Sequence, residues 1–210
     1  MNSVFEKELQ SAHKHFPQLK IHDGEGAHFL RGIIDISNDK GEIAYSFLIE
    51  IHASLKYPKR YPILYEVGGD IPCSADWHKY NDNSCCVGVE AEEIVRCYNG
   101  ISITEYITDV VIPYFANQVY KKQTGGYLQE YSHGTKGIKE FYEILMGTKN
   151  VVEWQQIINS AFGKIKHQQN DKCYCGSELK YKKCHAVIED KIRMIGKNQI
   201  KKDFTQIGLL

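Results

Sequence analysis

The chain has 210 residues, 26 basic and 26 acidic side chains, no formal net charge, and 42% hydrophobic residues. That length holds one full core and an appendage, and balanced charge gives no whole-chain field for a nucleic acid or a membrane surface, so neither is expected as a partner. No run approaches the roughly 20 apolar residues of a membrane span, Met1 to Lys7 lack the apolar core of a signal peptide, and the seven cysteines are odd in number and clustered, so a reduced, cytoplasmic setting is expected.

Val4 or Phe5, Leu9, Ala12 and Phe16 recur at helical spacing and Pro17 closes the run, which predicts a first helix over Val4 to Phe16. Phe29 to Ile36 and Ile43 to Ile51 read as strands joined by the turn-rich Ser37 to Gly41. In the second run Ile43, Tyr45, Phe47, Ile49 and Ile51 alternate with Ala44, Ser46 and Glu50, the period-two pattern of a strand covered on one face. Leu48 is the exception. Tyr57-Pro58 and Tyr61-Pro62 break the chain before a third run, Ile63 to Val67, ended by Gly68-Gly69-Asp70. A three-strand antiparallel meander is the simplest topology. After a stretch poor in pattern, Ser102-Ile103-Thr104-Glu105 reads as a capping box opening a helix, with Tyr106, Ile107, Val110, Val111 and Tyr114 on one face and Pro113 expected to kink or interrupt it. Helices over Thr135 to Met146 and Val151 to Ile165 complete the main domain. The segment Lys164 to Lys202 is Lys-rich whereas Glu90, Glu92 and Glu93 are acidic. The Lys-rich end reads as a solvated tail or as a contact for an acidic partner.

Cys173, Cys175, Cys184 and His185 supply three thiolates and an imidazole within thirteen residues, a complete tetrahedral zinc shell. Gly176 helps the chain fold back, and a closed four-ligand site is structural because no position remains for water or substrate. So short a segment buries no core, and metal would supply its folding energy. The competing reading is a chance cluster of free thiols. The spacing Cys-x-Cys-x8-Cys-His, with Gly-Ser after the second cysteine and Tyr-Lys before the third, resembles the SEC-C motif. That resemblance implies zinc on these four residues and a partner-docking role, with no reaction. The expected organisation is a main domain at 1–166, a zinc knuckle at 167–190 and a basic C-terminal tail at 191–210.

A second resemblance rests on Tyr57-Pro58 and Tyr61-Pro62 leading into Ile63-Leu64-Tyr65-Glu66, then Ile71-Pro72, then His78 to Val87. Following a helix and a meander, these residues are similar to the ubiquitin-conjugating enzyme fold over roughly residues 1 to 150. The expected fold class is therefore α+β: an N-terminal helix, an antiparallel meander and C-terminal helices, plus the zinc knuckle. His78-Lys79-Tyr80 stands where the eukaryotic family has His-Pro-Asn, and the interval to cysteine is shorter. Bacterial conjugating-enzyme-like proteins of antiphage defence operons, with a His-x-Tyr-x-Asp-Gly-Ser-x-Cys-Leu pattern, match better. On that pattern Cys86 is the catalytic position, Cys85 and Val87 are its apolar neighbours, and Asn83 replaces the glycine. Gly125-Gly126-Tyr127 and His133-Gly134 also look like features of the bacterial group, which puts His133 near the site.

The resemblance implies a transferase carrying a protein C-terminus, from a ubiquitin-like protein or a cyclic-nucleotide-synthesising nucleotidyltransferase, as a thioester on Cys86. The carried group passes to an amine of a protein acceptor, with an activating enzyme supplying it, in antiphage signalling. This chemistry needs a nucleophilic thiol and an oxyanion donor but no strong built-in base. Asn81, Asn83 or a backbone N–H could donate to the oxyanion, Asp82 could orient or deprotonate the amine, and the resemblance gives His78 the role of bracing the loop. Adjacent cysteines are also common small hydrophobes. A non-catalytic protein-binding module of the same fold, a zinc-dependent adaptor and a vicinal-thiol redox site therefore stand as rivals. Cys73 and Cys97 read as structural, and His13, His15, His22, His28 and His52 have no metal-ligand spacing.

Overall fold

In a computed structural model, which describes residues 2–24, 26–128, 131–163 and 167–210, Asn2 caps the first helix, α1 (Ser3–His15). Its side chain accepts from the amides of Val4 and Phe5, at 3.1 and 3.2 Å. The helix buries Phe5, Leu9 and Ala12. Four strands follow, β1 (Leu19–Asp23), β2 (His28–Ser37), β3 (Ile43–His52) and β4 (Ile63–Glu66), paired antiparallel in chain order. The fold is α+β as expected, but the sheet has one strand more than the three predicted. The additional β1 is short and buries Leu19 alone, so its alternation is too brief to separate from a loop. Gly32, opposite Leu19, has a physical reason: a Cβ there would stand 1.9 Å from the Gln18 carbonyl oxygen. In β3, Phe47, Ile49 and Ile51 are fully buried, as the period-two pattern predicts, while Ile43 at its start is exposed.

The chain divides by contacts into two units, Met1–Gly88 with Arg96–His133, and Val89–Val95 with Gly134–Leu210. The boundary expected at 166 thus falls inside the second unit. In the first unit the capping box at Ser102 forms, with its hydroxyl accepting from the Glu105 amide and the Glu105 carboxylate accepting from the Ser102 amide. It opens α3 (Ile103–Tyr106), which continues through a π-helical turn (Ile107–Val111) into α4 (Ile112–Thr124). The interruption expected at Pro113 takes this form: Ile112 donates back to Ile107, and the widened turn sits just before the residue that lacks an N–H. Tyr106, Ile107, Val110, Val111, Tyr114 and Phe115 join the core against the sheet.

The second unit gathers the first residues of α2 (Glu90–Arg96), α5 (Thr135–Met146), α6 (Val151–Phe162), the Cys/His segment, α7 (His185–Ile195) and α8 (Lys197–Gln206). The end predicted for α6, at Ile165, lies outside the described residues. Tyr142, Trp154 and Phe204 form the aromatic centre, with the Tyr142 and Phe204 rings 5.2 Å apart and edge-on. From His185 to Gln206 the Lys-rich end, expected as a solvated tail or as a contact for an acidic partner, forms the two helices α7 and α8. Ile192, Ile195, Ile200 and Phe204 are buried while Lys191, Lys197, Lys201 and Lys202 face solvent, so the lysines masked an ordinary amphipathic pattern. Its polar contacts are internal as well: buried Asp203 accepts from Tyr142 Oη at 2.9 Å and Gln199 Nε2 at 2.8 Å, and Lys202 pairs with Glu90 at 2.5 Å. Among the described residues no helix is long and apolar enough to cross a membrane.

Candidate functional site

The segment after β4 has no periodic pattern, and side chains of α4 hold it in place. Tyr114, Gln118 and Lys121 share one face of that helix. Tyr114 Oη donates to the His78 carbonyl at 3.0 Å, Gln118 Nε2 to the Trp77 carbonyl at 3.3 Å, and Lys121 Nζ to the Asp76 carbonyl. Lys121 also pairs with Asp76 Oδ2 at 2.7 Å and lies over the Trp77 and Tyr127 rings, 4.7 and 4.4 Å from their centroids. Three consecutive carbonyls of a short 3-10 turn (Ala75–Trp77) and its cap are thereby fixed to a rigid element.

From His78 the chain makes a tight hairpin to Cys86. Lys79 bridges Cys85, the Tyr80 amide donates to the Ser84 carbonyl at 2.9 Å, and the Cys86 amide donates to the His78 carbonyl at 2.8 Å. The tip is an Asx turn in which Asp82 Oδ1 accepts from the Ser84 amide at 2.9 Å and its hydroxyl at 2.6 Å. Asn83 has φ 68°, the left-handed conformation that asparagine tolerates better than most residues. The hairpin lies on β4, with the Cys85 amide donating to Leu64 O at 2.8 Å and the Glu66 amide to Asn83 O at 3.1 Å. Beneath it, Lys79 Nζ meets Glu66 Oε2 at 2.5 Å, both side chains fully buried, and also donates to Ile71 O at 3.1 Å. Glu66 accepts in addition from the amides of Asp70 and Ile71. Such a pair is costly to bury, and breaking it is costlier still. Its effect here is to tie three chain segments together under the cysteines.

The hairpin register separates the two cysteines. Lys79 and Cys85 point inward, and Cys85 packs against the core, where burial pushes its thiol up to about 12. A thiol so protonated is a poor nucleophile. Cys86 is half-buried and lies diagonally across the hairpin from exposed Tyr80, on the same face. His78 is buried with its ring 3.7 Å from that of His133 and edge-on to Tyr127. Burial, then the neighbouring His133 and Lys121, bring its pKa down to about 4, so it is neutral at neutral pH. Its carbonyl receives the Cys86 amide. The Asp82 carboxylate is held below its ordinary range by the bonds from Ser84, and Asn83 Oδ1 accepts from exposed Cys73 at 3.4 Å. Both residues shape the turn. The side chain that the hairpin register sets on the same face as Cys86 is Tyr80, which sequence reasoning did not nominate. The signal was available in principle, because residues that flank one cross-strand pair of a hairpin share a face.

The second constellation lies in the second unit. The Sγ atoms of Cys173, Cys175 and Cys184 and a ring nitrogen of His185 all lie within 4.8 Å of one another. Cys173 Sγ is 3.2 Å and Cys184 Sγ 3.3 Å from His185 Nδ1, and the Cys175 and Cys184 sulfurs are 3.6 Å apart. A tetrahedral ion bonded at about 2.3 Å to sulfur and about 2.0 Å to nitrogen spaces its ligands by roughly 3.5 to 3.8 Å. The donor set and the spacing are therefore compatible with Zn2+. The turn is built for closure: Gly176 has φ 78°, the Cys173 amide donates to Leu179 O at 2.8 Å, and Lys172 bridges Lys180. Burial raises the Cys175 thiol, but hydrogen bonds from Ser177 and the neighbouring thiols outweigh it and bring it down to about 7. Burial also disfavours protonated His185, leaving the neutral form that can ligate.

Residues 170–186 match the SEC-C motif. No curated protein and no solved structure matches the chain significantly. The SEC-C segment does not stand apart from its unit. Glu189 on α7, itself buried, accepts from Tyr174 Oη at 3.0 Å, Tyr181 Oη at 2.6 Å, Ser160 Oγ at 2.8 Å and Arg193 Nη2 at 2.8 Å. One carboxylate therefore gathers the SEC-C turn, α6 and α7.

Proposed function

We propose that the chain is a cysteine-dependent acyl carrier of ubiquitin-conjugating type, with Cys86 as its nucleophile. The observation that carries this reading is the asymmetry of the cysteine hairpin. Its backbone is anchored by β4, by α4 and by the buried Lys79–Glu66 pair, and it turns the Cys85 thiol inward while the Cys86 thiol faces the same side as Tyr80. Anchoring of that kind reduces the motion lost on reaching a reactive geometry. Further support comes from the order of elements: a helix, an antiparallel meander, a cysteine loop laid on the last strand, then helices.

In this reading the C-terminal carboxyl group of a ubiquitin-like protein or a nucleotidyltransferase, activated elsewhere, transfers to Cys86 as a thioester. An acceptor amine then attacks the carbonyl. Zn2+ on Cys173, Cys175, Cys184 and His185 is structural, since four protein ligands leave no open position, and the second unit recruits a partner. A cytoplasmic setting in bacterial antiphage signalling is the context the sequence resemblance suggests. A non-catalytic protein-binding module is the second reading, favoured by the commitment of Asp82 and Asn83 to turn contacts.

Intact mass of wild type, Cys85→Ala, Cys86→Ala and Cys86→Ser, each co-expressed with its genomic neighbours and kept free of reductant, separates the two. The acyl carrier predicts a reductant-sensitive adduct lost in Cys86→Ala and converted to a reductant-stable ester in Cys86→Ser. Wild type without an adduct, with the neighbours confirmed as expressed, supports the binding module.

A further inference from the structure

The carrier reading leaves open which group stabilises the oxyanion formed when an amine attacks the thioester. From sequence the candidates are Asn81, Asn83 or a backbone N–H. In the structure Asn83 sits at the strained tip, with its amide oxygen on Cys73. Asp82 is an acceptor, already engaged by Ser84. The hairpin register points elsewhere. With Lys79 opposite Cys85, the residues flanking that pair diagonally are Tyr80 and Cys86, and both project to the face opposite the buried lysine. Tyr80 is 57% exposed and Cys86 half-buried, so both side chains reach solvent from that shared face.

We propose that Tyr80 is a catalytic residue, whose hydroxyl donates a hydrogen bond to the carbonyl oxygen of a Cys86 thioester and, as the intermediate collapses, to the departing sulfur. This proposal rests on the carrier reading. The step balances without a further reactant. The amine nitrogen forms a bond to the carbonyl carbon, the C=O electron pair moves onto oxygen, and collapse restores the carbonyl as the C–S bond breaks. The amine loses one proton, and the Cys86 thiolate takes one up. Tyr80 keeps its own proton throughout. Interaction with Cys86, then burial and nearby Asp82, push its pKa up to about 12, so the hydroxyl remains a donor over the physiological range. The anchored hairpin holds this donor in place before reaction. A tyrosine on a free surface loop would not be held in this way.

The test separates loading from discharge. The full chain is acylated with a synthetic peptide ending in Gly-Gly as its mercaptoethanesulfonate thioester, freed of excess reagent, and mixed with lysine. Mass spectrometry follows both stages for wild type, Tyr80→Phe and Cys86→Ala. The proposal expects Tyr80→Phe to load to the wild-type extent and to melt at the wild-type temperature, while discharge to lysine slows by on the order of 100-fold, the loss typical of one oxyanion donor. Discharge of Tyr80→Phe at the wild-type rate would overturn the assignment of Tyr80 and leave the carrier reading intact. Wild type that takes no more label than Cys86→Ala overturns both.

Discussion

The Lys79–Glu66 pair makes a sharp prediction because both partners are buried and in contact. Lys79→Met leaves the Glu66 carboxylate without its cation in a dry site, which costs about 3 to 5 kcal/mol, whereas replacing both residues by apolar ones of similar size costs far less. Urea denaturation of the two variants checks the contrast, and equal losses would show that the pair is not a coupled unit. Gly32 is as exacting in a different way. A methyl group there meets the Gln18 carbonyl, so Gly32→Ala must push β1 off β2 and lower the midpoint of the same transition. His78 adds a pH dependence. Its folded pKa lies near 4, below the ordinary 6.5, so the unfolded chain takes up the proton first. Its contribution to stability is present above pH 6.5 and is lost as pH falls towards 4. Titrating stability across that window should show a shallower acid loss in His78→Gln than in wild type.

At the scale of elements, the capping box is the clearest case of sequence becoming structure. Ser102 and Glu105 satisfy each other's amides at the entry to α3, and Ser102→Ala should cost about 1 kcal/mol. These bonds hold the Glu105 carboxylate below its ordinary 4.5, so the folded state binds that proton less readily. The added stability is present above pH 4.5 and fades as the carboxylate protonates. Glu105→Gln should remove this part of the acid sensitivity, read from thermal melts at pH 7 and in the acid range. The π-helical turn next to Pro113 shows the limit of local reading. A proline predicts a disturbed helix, but whether the chain kinks or widens depends on the sheet against which Val110 and Val111 must pack.

For the whole molecule, the grouping of the SEC-C turn with α6 and α7 through Glu189 makes metal loss more than a local event. With Zn2+ on the Cys/His cluster, as proposed, chelation should cost the second unit the folding energy that the ion would supply. Hydrogen exchange should then rise across α6 and α7 together, while the strands of the first unit keep their protection. Exchange confined to residues 173–185 would instead show that the knuckle opens independently. Glu189→Leu strips four donors of their acceptor and is expected to cost about 3 kcal/mol or more, even with zinc present.

The sequence alone determined whatever was encoded within a few residues. The Cys/His cluster is legible because all four residues lie in thirteen consecutive positions, the capping box because it spans four, and β3 because its alternation runs for most of a strand. Tertiary structure decided what depends on distant partners. Strand β1 exists because β2 offers an edge with a glycine at the right register. The lysines of α8 hid a buried face whose meaning appears only against Tyr142 and Trp154. Cys85 and Cys86 are chemically identical in sequence. They differ in the folded chain because antiparallel pairing with Lys79 turns one thiol into the core and leaves the other beside Tyr80, and a strand's alternation has no inside or outside until something packs against it.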